Sequence, residues 1–296
     1  MPKWPEGKTA VLGLMIPWEL WPDDLGSSKA HQRVAQRPLP ATAKYDRDMW
    51  AVYDHMYGER HGLRRVMDVL DEWNVKASVM ANGKRVESHP DLAREAAKRG
   101  HDMGSENYLH EYAVTYDAEG EKESLVSTVK AFEGVLGAQP TGYVSPGHRP
   151  TPNTVRLLME LGYRWDADFM YADAPFIIDG GERQLVGMAY AHISDYHTYS
   201  MTGRTPREIH EMLLDQMRAL RREGSRGQPG MMGYAIHPYI SQGFRTEMLY
   251  DFLGEVSKMD DVWIATRSEV ADWVLDNRAD FHTVALAEIE AEFPAS

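Results

Sequence analysis

Carboxylates and histidines gather in this chain where apolar runs end. Glu19 follows the run TAVLGLMI at 9–16, and Glu106 and His110 follow 102–105. Ser145, His148 and Arg149 lie at and after the end of 141–145. Asp166, Asp168 and Asp173 lie on and after 163–168, Asp195 follows a weaker run at 184–191, and His237 ends the run at 231–236. Such side chains carry protons near neutral pH and hold divalent cations. The spacing Glu106-x-x-x-His110 would set two ligand-type groups on one face of a helical turn. It is not a zinc-protease motif, because position 114 is valine. His192 and His197 read as polar loop residues.

Other chemistries are excluded. With no cysteine there is no thiolate nucleophile, zinc–thiolate site or iron–sulfur cluster. No phosphate-binding P-loop and no G-x-S-x-G elbow is present, and Pro17 and Trp18 stand where a dinucleotide turn would follow the first strand.

The elements that must position these groups alternate between strand and helix. Strands are expected at 9–16, 75–81, 102–105, 141–145, 163–168, 184–191, 231–236 and 262–266. Helices are expected at 58–73, 90–99, 121–136, 153–161, 206–222, 246–258 and 268–277. Pro17 is expected to stop the first strand by removing a backbone donor. Strand count and length favour one α/β unit, a (β/α) barrel over 1–296, with a long polar loop at about 20–56. Barrel active sites form just past the C-terminal ends of strands, where the polar clusters fall.

The 296 residues carry a formal charge of −13. That balance argues against a nucleic-acid partner, which needs a basic surface, and weakly against an anionic membrane. No apolar run is long enough to span a bilayer. The polar N-terminus without an apolar signal segment gives the expectation of a cytoplasmic protein.

Several segments resemble the polysaccharide deacetylase (NodB-homology) superfamily, and within it the branch of allantoinases and cyclic imide hydrolases. They are YGERHGLRRVMDVLDEWNVKASVM, HPDLAREAAKRGHDMGSE, RPTPNT, DADFMYADAPF, AIHPYIS and VWIATRSEVADW, spread over about residues 8–277. The resemblance implies a distorted barrel of about seven α/β units. It implies hydrolysis of a non-peptide carbon–nitrogen bond, and assembly into dimers or tetramers.

The chain also departs from that family's pattern. The aspartates expected after strand one are replaced by MIPWEL, leaving Glu19. The usual His-x-x-x-His is Glu106-x-x-x-His110. Val144 stands where an arginine is usual, and Arg149 is its candidate replacement; Arg245 is the candidate for a later arginine. His237 matches the family's general acid, with Asp166 or Asp168 to orient it. Glu106 or Glu19 is the candidate base. Ser145, His148, Arg149, Tyr171 and Asp173 are candidate substrate contacts. Glu19, Glu106 and His110 would suit one divalent cation (zinc, manganese or magnesium), or the site would work without metal. Three functions follow: hydrolysis of a small cyclic amide, ureide or imide; deacetylation of an N-acetyl sugar or peptidoglycan; or binding by a catalytically inactive barrel.

Overall fold

The structure, a computed structural model, describes residues 3–20, 42–45 and 49–293. Eleven strands are described: β1 (Ala10–Trp18), β2 (Ser78–Ala81), β3 (Asp102–Ser105), β4 (Gly142–Tyr143), β5 (Trp165–Asp166), β6 (Phe176–Asp179), β7 (Gln184–Gly187), β8 (Ile193–Ser194), β9 (Gly230–Ala235), β10 (Val262–Ile264) and β11 (Thr283–Ala285). They form one sheet in the order β11-β6-β7-β5-β4-β3-β2-β1-β9-β8, with β10 also on β1. Neighbours run parallel except β6 and β7.

Strand β1 is buried along its whole length. Side chains alternate between faces of a strand. Leu12, Leu14 and Ile16 pack outward with Leu63, Val66, Met67 and Leu70 of the helix Leu63–Glu72. Val11 and Met15 face the other way, into a cluster with Met80, Val144, Trp165, Ala167, Val186 and Ala235. Inward residues from β1, β2, β5, β7 and β9 thus share one interior, as a barrel requires.

Several expectations are corrected. Strand β1 does not stop at Pro17 but runs to Trp18. Met15 O accepts from Ile236 N, so the backbone of Pro17, two residues on, faces the same side. The β9 register ends at Met15↔Ala235, so the proline lacks a donor only where no ladder partner stands. Part of the expected loop at 20–56 is the helix Met49–Tyr57, which continues through a wide turn, Gly58–Gly62, into Leu63–Glu72. No proline interrupts 49–72, so nothing breaks that backbone ladder. Most of the remaining loop lies outside the described residues. Strands β6 and β11 were not expected. The C-terminal segment adds β11 beside β6 and then forms the helix Leu286–Ala291.

One glycine ties the helical turn to the site. A Cβ on Gly62 would lie 1.8 Å from the carbonyl oxygen of Pro238, the residue after His237. Gly62→Ala should therefore cost at least about 1–3 kcal/mol of stability, read as a lower urea midpoint. An unchanged midpoint would contradict this close approach.

Candidate active site

Register builds the site. Trp18 pairs with Ala81, and Ala81 with Ser105. One residue further on, Glu19, Asn82 and Glu106 stand level, each continuing the inward alternation of its strand. On the other side of β1, Ser194 pairs with Ala235. Asp195 follows β8 directly, and His237 stands two residues beyond β9 on its inward face.

The side chains form a chain of contacts. Glu106 Oε2 lies 2.6 Å from His110 Nδ1, and His110 Nε2 lies 3.9 Å from Glu19 Oε1. Glu19 Oε1 lies 3.3 Å from His237 Nε2, and His237 Nδ1 lies 2.6 Å from Asp195 Oδ1. The His237 backbone N–H also donates to Asp195 Oδ2 (2.7 Å). One carboxylate thus sits between two imidazoles, each backed by a carboxylate of its own. All five side chains are at most 7% exposed.

Surrounding residues fix this arrangement. Asn82 Oδ1 accepts from Leu20 N, while Asn82 Nδ2 donates to Asn107 O (2.9 Å) and Glu106 Oε2 (3.4 Å). The Tyr143 hydroxyl donates to Asn107 Oδ1. Arg85 donates to the Glu19 carbonyl and pairs with Glu59 at 2.8 Å. Contrary to expectation, 106–110 is not a helical turn. His110 is brought back by a bend in which its N–H donates to Leu20 O.

Burial opposes charge on His237, but Asp195 and Glu19 outweigh it and raise its pKa to about 10. His110 is raised in the same way, by Glu19 and Glu106 against burial. Burial pushes Glu19 up, yet the two histidines hold it well below the usual carboxylate range. Glu106 is raised by burial, with the Glu19 charge adding and His110 opposing. At neutral pH the centre therefore holds a carboxylate base beside a protonated imidazole.

Glu19, Glu106 and His110 each offer a donor atom within 4.8 Å of the others. Two carboxylate oxygens and one imidazole nitrogen fit a divalent cation by donor type. Because His110 Nδ1 is turned to Glu106, its Nε2 is the nitrogen facing Glu19.

The other candidates are placed differently. Asp195, not Asp166 or Asp168, is the carboxylate on His237. Trp165 and Ala167 point into the barrel, so Asp166 and Asp168 take the opposite face of that strand. Asp168 accepts from Ser145 N and Oγ and lies 3.9 Å from His148 Nδ1. Asp166 is fully buried, and burial with the adjacent Asp168 raises its pKa well above the usual range. Ser145 and His148 therefore form a separate group with Asp168. Arg149 is exposed, with its guanidinium 4.0 Å from the Tyr112 ring centroid. Arg245 clamps its own loop, donating to Ile240 O and Gln242 Oε1.

Tyr171 and Asp173 are not brought to the cluster. Tyr171 is 66% exposed and stacks on Phe176 in a groove with Phe281 and His282. The Asp173 carboxylate lies 3.8 Å from His192, and its carbonyl accepts from Met231 N near the start of β9. His237 stands six residues further on, roughly 20 Å of extended chain. Sequence reasoning had placed Asp195 at a strand end but gave it no role. Only its register beside β9 reveals it.

The family model for polysaccharide deacetylases matches residues 42–165. A solved Mycobacterium smegmatis protein classed with the polysaccharide deacetylases is 28% identical, with a TM-score of 0.80 and 96% of each chain covered. The PuuE allantoinase structure shares the fold at 21% identity, with a TM-score of 0.81 and 94% of each chain covered. A Helicobacter pylori protein named peptidoglycan deacetylase is 25% identical over 122 residues, which are 41% of this chain and 42% of that relative. The chain thus spans less than half the length of that curated relative. Over residues 42–165 by family model, and over its whole length by structure, the chain is similar to polysaccharide deacetylases, with an allantoinase among its structural neighbours. No described helix is long and apolar enough to cross a membrane.

Proposed function

We propose that the chain hydrolyses a carbon–nitrogen bond of a small amide, ureide or imide. The observation that carries this reading is Glu19 set between His237 and His110, with Asp195 behind His237. Glu19 takes a proton from water as the water oxygen bonds to the substrate carbonyl carbon. The carbon–nitrogen bond then breaks, and the departing nitrogen takes the proton of His237 Nε2. The 3.3 Å contact between Glu19 and His237 provides the route by which the base returns its proton and the acid is restored. A divalent cation held by Glu19, Glu106 and His110 would polarise the carbonyl and acidify bound water.

Aromatic rings favour a small, flat substrate. Tyr239 and Tyr196 lie 5.6 and 6.1 Å from the His237 ring, and Tyr190 packs on His148 at 4.3 Å. The second reading is deacetylation of an N-acetylated sugar, favoured by the Helicobacter pylori relative's name. Purified protein offered allantoin, cyclic imides and N-acetylated sugars decides between them. Ring opening is the expected result. Acetate release alone would replace the first reading with the second, and inertness on the whole panel would overturn both.

A further inference from the structure

One largely buried ion pair ties the peptide group of Glu19 to the chain behind His237. Glu19 lies one residue past Trp18↔Ala81, the last register pair of β1 and β2. Side chains take over there from the ladder. The Glu19 carbonyl accepts from Arg85 twice, from Nε at 3.1 Å and from Nη2. The N–H of the same peptide group, on Leu20, donates to Asn82 Oδ1 at 2.7 Å. Asn82 caps the helix Gly83–Ser88, which also carries Arg85. Both ends of this peptide group are thus held from one helix.

Arg85 has a second arm. Its Nη1 donates to Glu59 Oε2 at 2.8 Å. Glu59 belongs to the turn Gly58–Gly62, which packs on the residues just after His237. A Cβ on Gly58 would lie 3.2 Å from Tyr239 N, and Gly62 meets Pro238 more closely still. Before the turn, His55 stacks on the Tyr239 ring at 4.2 Å, and that ring lies 5.6 Å from His237. The Tyr57 hydroxyl donates to Ser241 O, and Ser241 Oγ donates to His237 O at 2.9 Å. The Arg85 guanidinium lies 5.7 Å from the ring of Trp18, which packs outward, whereas the Glu19 side chain points inward. Arg85 and Glu59 therefore stand behind the backbone, away from the reacting atoms. A buried ion pair adds little stability over apolar residues of its size. What this pair gives the site is geometry.

We infer that Arg85, held by Glu59, is a positioning residue that sets the gap between the base Glu19 and the acid His237. This role rests on the hydrolase reading above. One arm holds the backbone of the base and the other holds the turn that grips the acid, so loss of either lets the 3.3 Å contact between them drift. A displacement of about 1 Å at reacting groups can cost about 100-fold in rate.

Arg85→Met combined with Glu59→Met removes the pair as a unit and leaves no charge buried alone. Its melting temperature should stay close to wild type. With whichever panel substrate the wild type opens, kcat should fall about 10- to 100-fold with KM little changed. Arg85→Lys carries the same test should the double variant fail to fold. It keeps a cation for Glu59 but lacks the fork that spans both partners, so the same loss of kcat is expected with the melting curve kept. A folded variant of either kind within about threefold of wild-type kcat, or altered only in KM, would overturn the positioning role and leave the hydrolase reading intact. A wild type inert on every substrate would overturn the hydrolase reading, and this role with it.

Discussion

Replacing His237 by alanine should slow hydrolysis at least about 100-fold. The leaving nitrogen of an amide or imide departs poorly as an anion, so the proton must arrive as the bond breaks. His237 is built to hold that proton. Its Nδ1 faces Asp195 at 2.6 Å, which leaves Nε2 toward Glu19 and the substrate. Its pKa near 10 keeps it charged at neutral pH despite burial. The substitution leaves Asp195 buried beside an empty position, so some stability is lost as well. His237→Gln retains a polar side chain and separates the two effects. A melting curve close to wild type with the same rate loss would assign the loss to chemistry. Full activity in either variant would sink the acid role.

Glu19→Gln should cost about 10²- to 10⁴-fold in rate. The amide keeps the shape of the side chain but cannot accept the proton of water. It also removes the carboxylate shared by His110 and His237, so the pKa of each should move down toward that of ordinary imidazole. Linkage gives the sign for stability. His237 is raised in the folded state, so its contribution is fully present below about 6.5 and is lost as pH rises toward about 10. Glu19 is depressed, so its contribution is present above the ordinary glutamate pKa and is lost as pH falls below that value. Histidine proton resonances followed through the titration would check this. A His237 titration unmoved by Glu19→Gln would contradict the coupling.

The legible part of this protein was the level at which chemistry sits. Parallel strands end in register, so polar residues just past apolar runs mark one rim, and Glu19, Glu106, His110 and His237 could be picked out that way. The direction of each side chain was harder to read. Asp166 and Asp168 flank inward-facing Ala167 and therefore turn away from His237. The partner in fact comes from β8, a two-residue strand that no periodicity announces. Pro17 misled because a missing N–H matters only where a neighbour would have used it. The bend that returns His110 to Glu106 is held by the His110 N–H on Leu20 O, not by helical spacing.

The pH dependence of kcat/KM for the best panel substrate tests the central claim most directly. In the free enzyme Glu19 is already ionised at neutral pH, and His237 carries its proton up to about 10. The account predicts a plateau through pH 7–8 and a decline centred near 10, as the acid loses its proton. A rate falling already near 6.5, where an unpaired histidine titrates, or still rising through pH 10, would contradict a site run by Glu19 and an Asp195-backed His237.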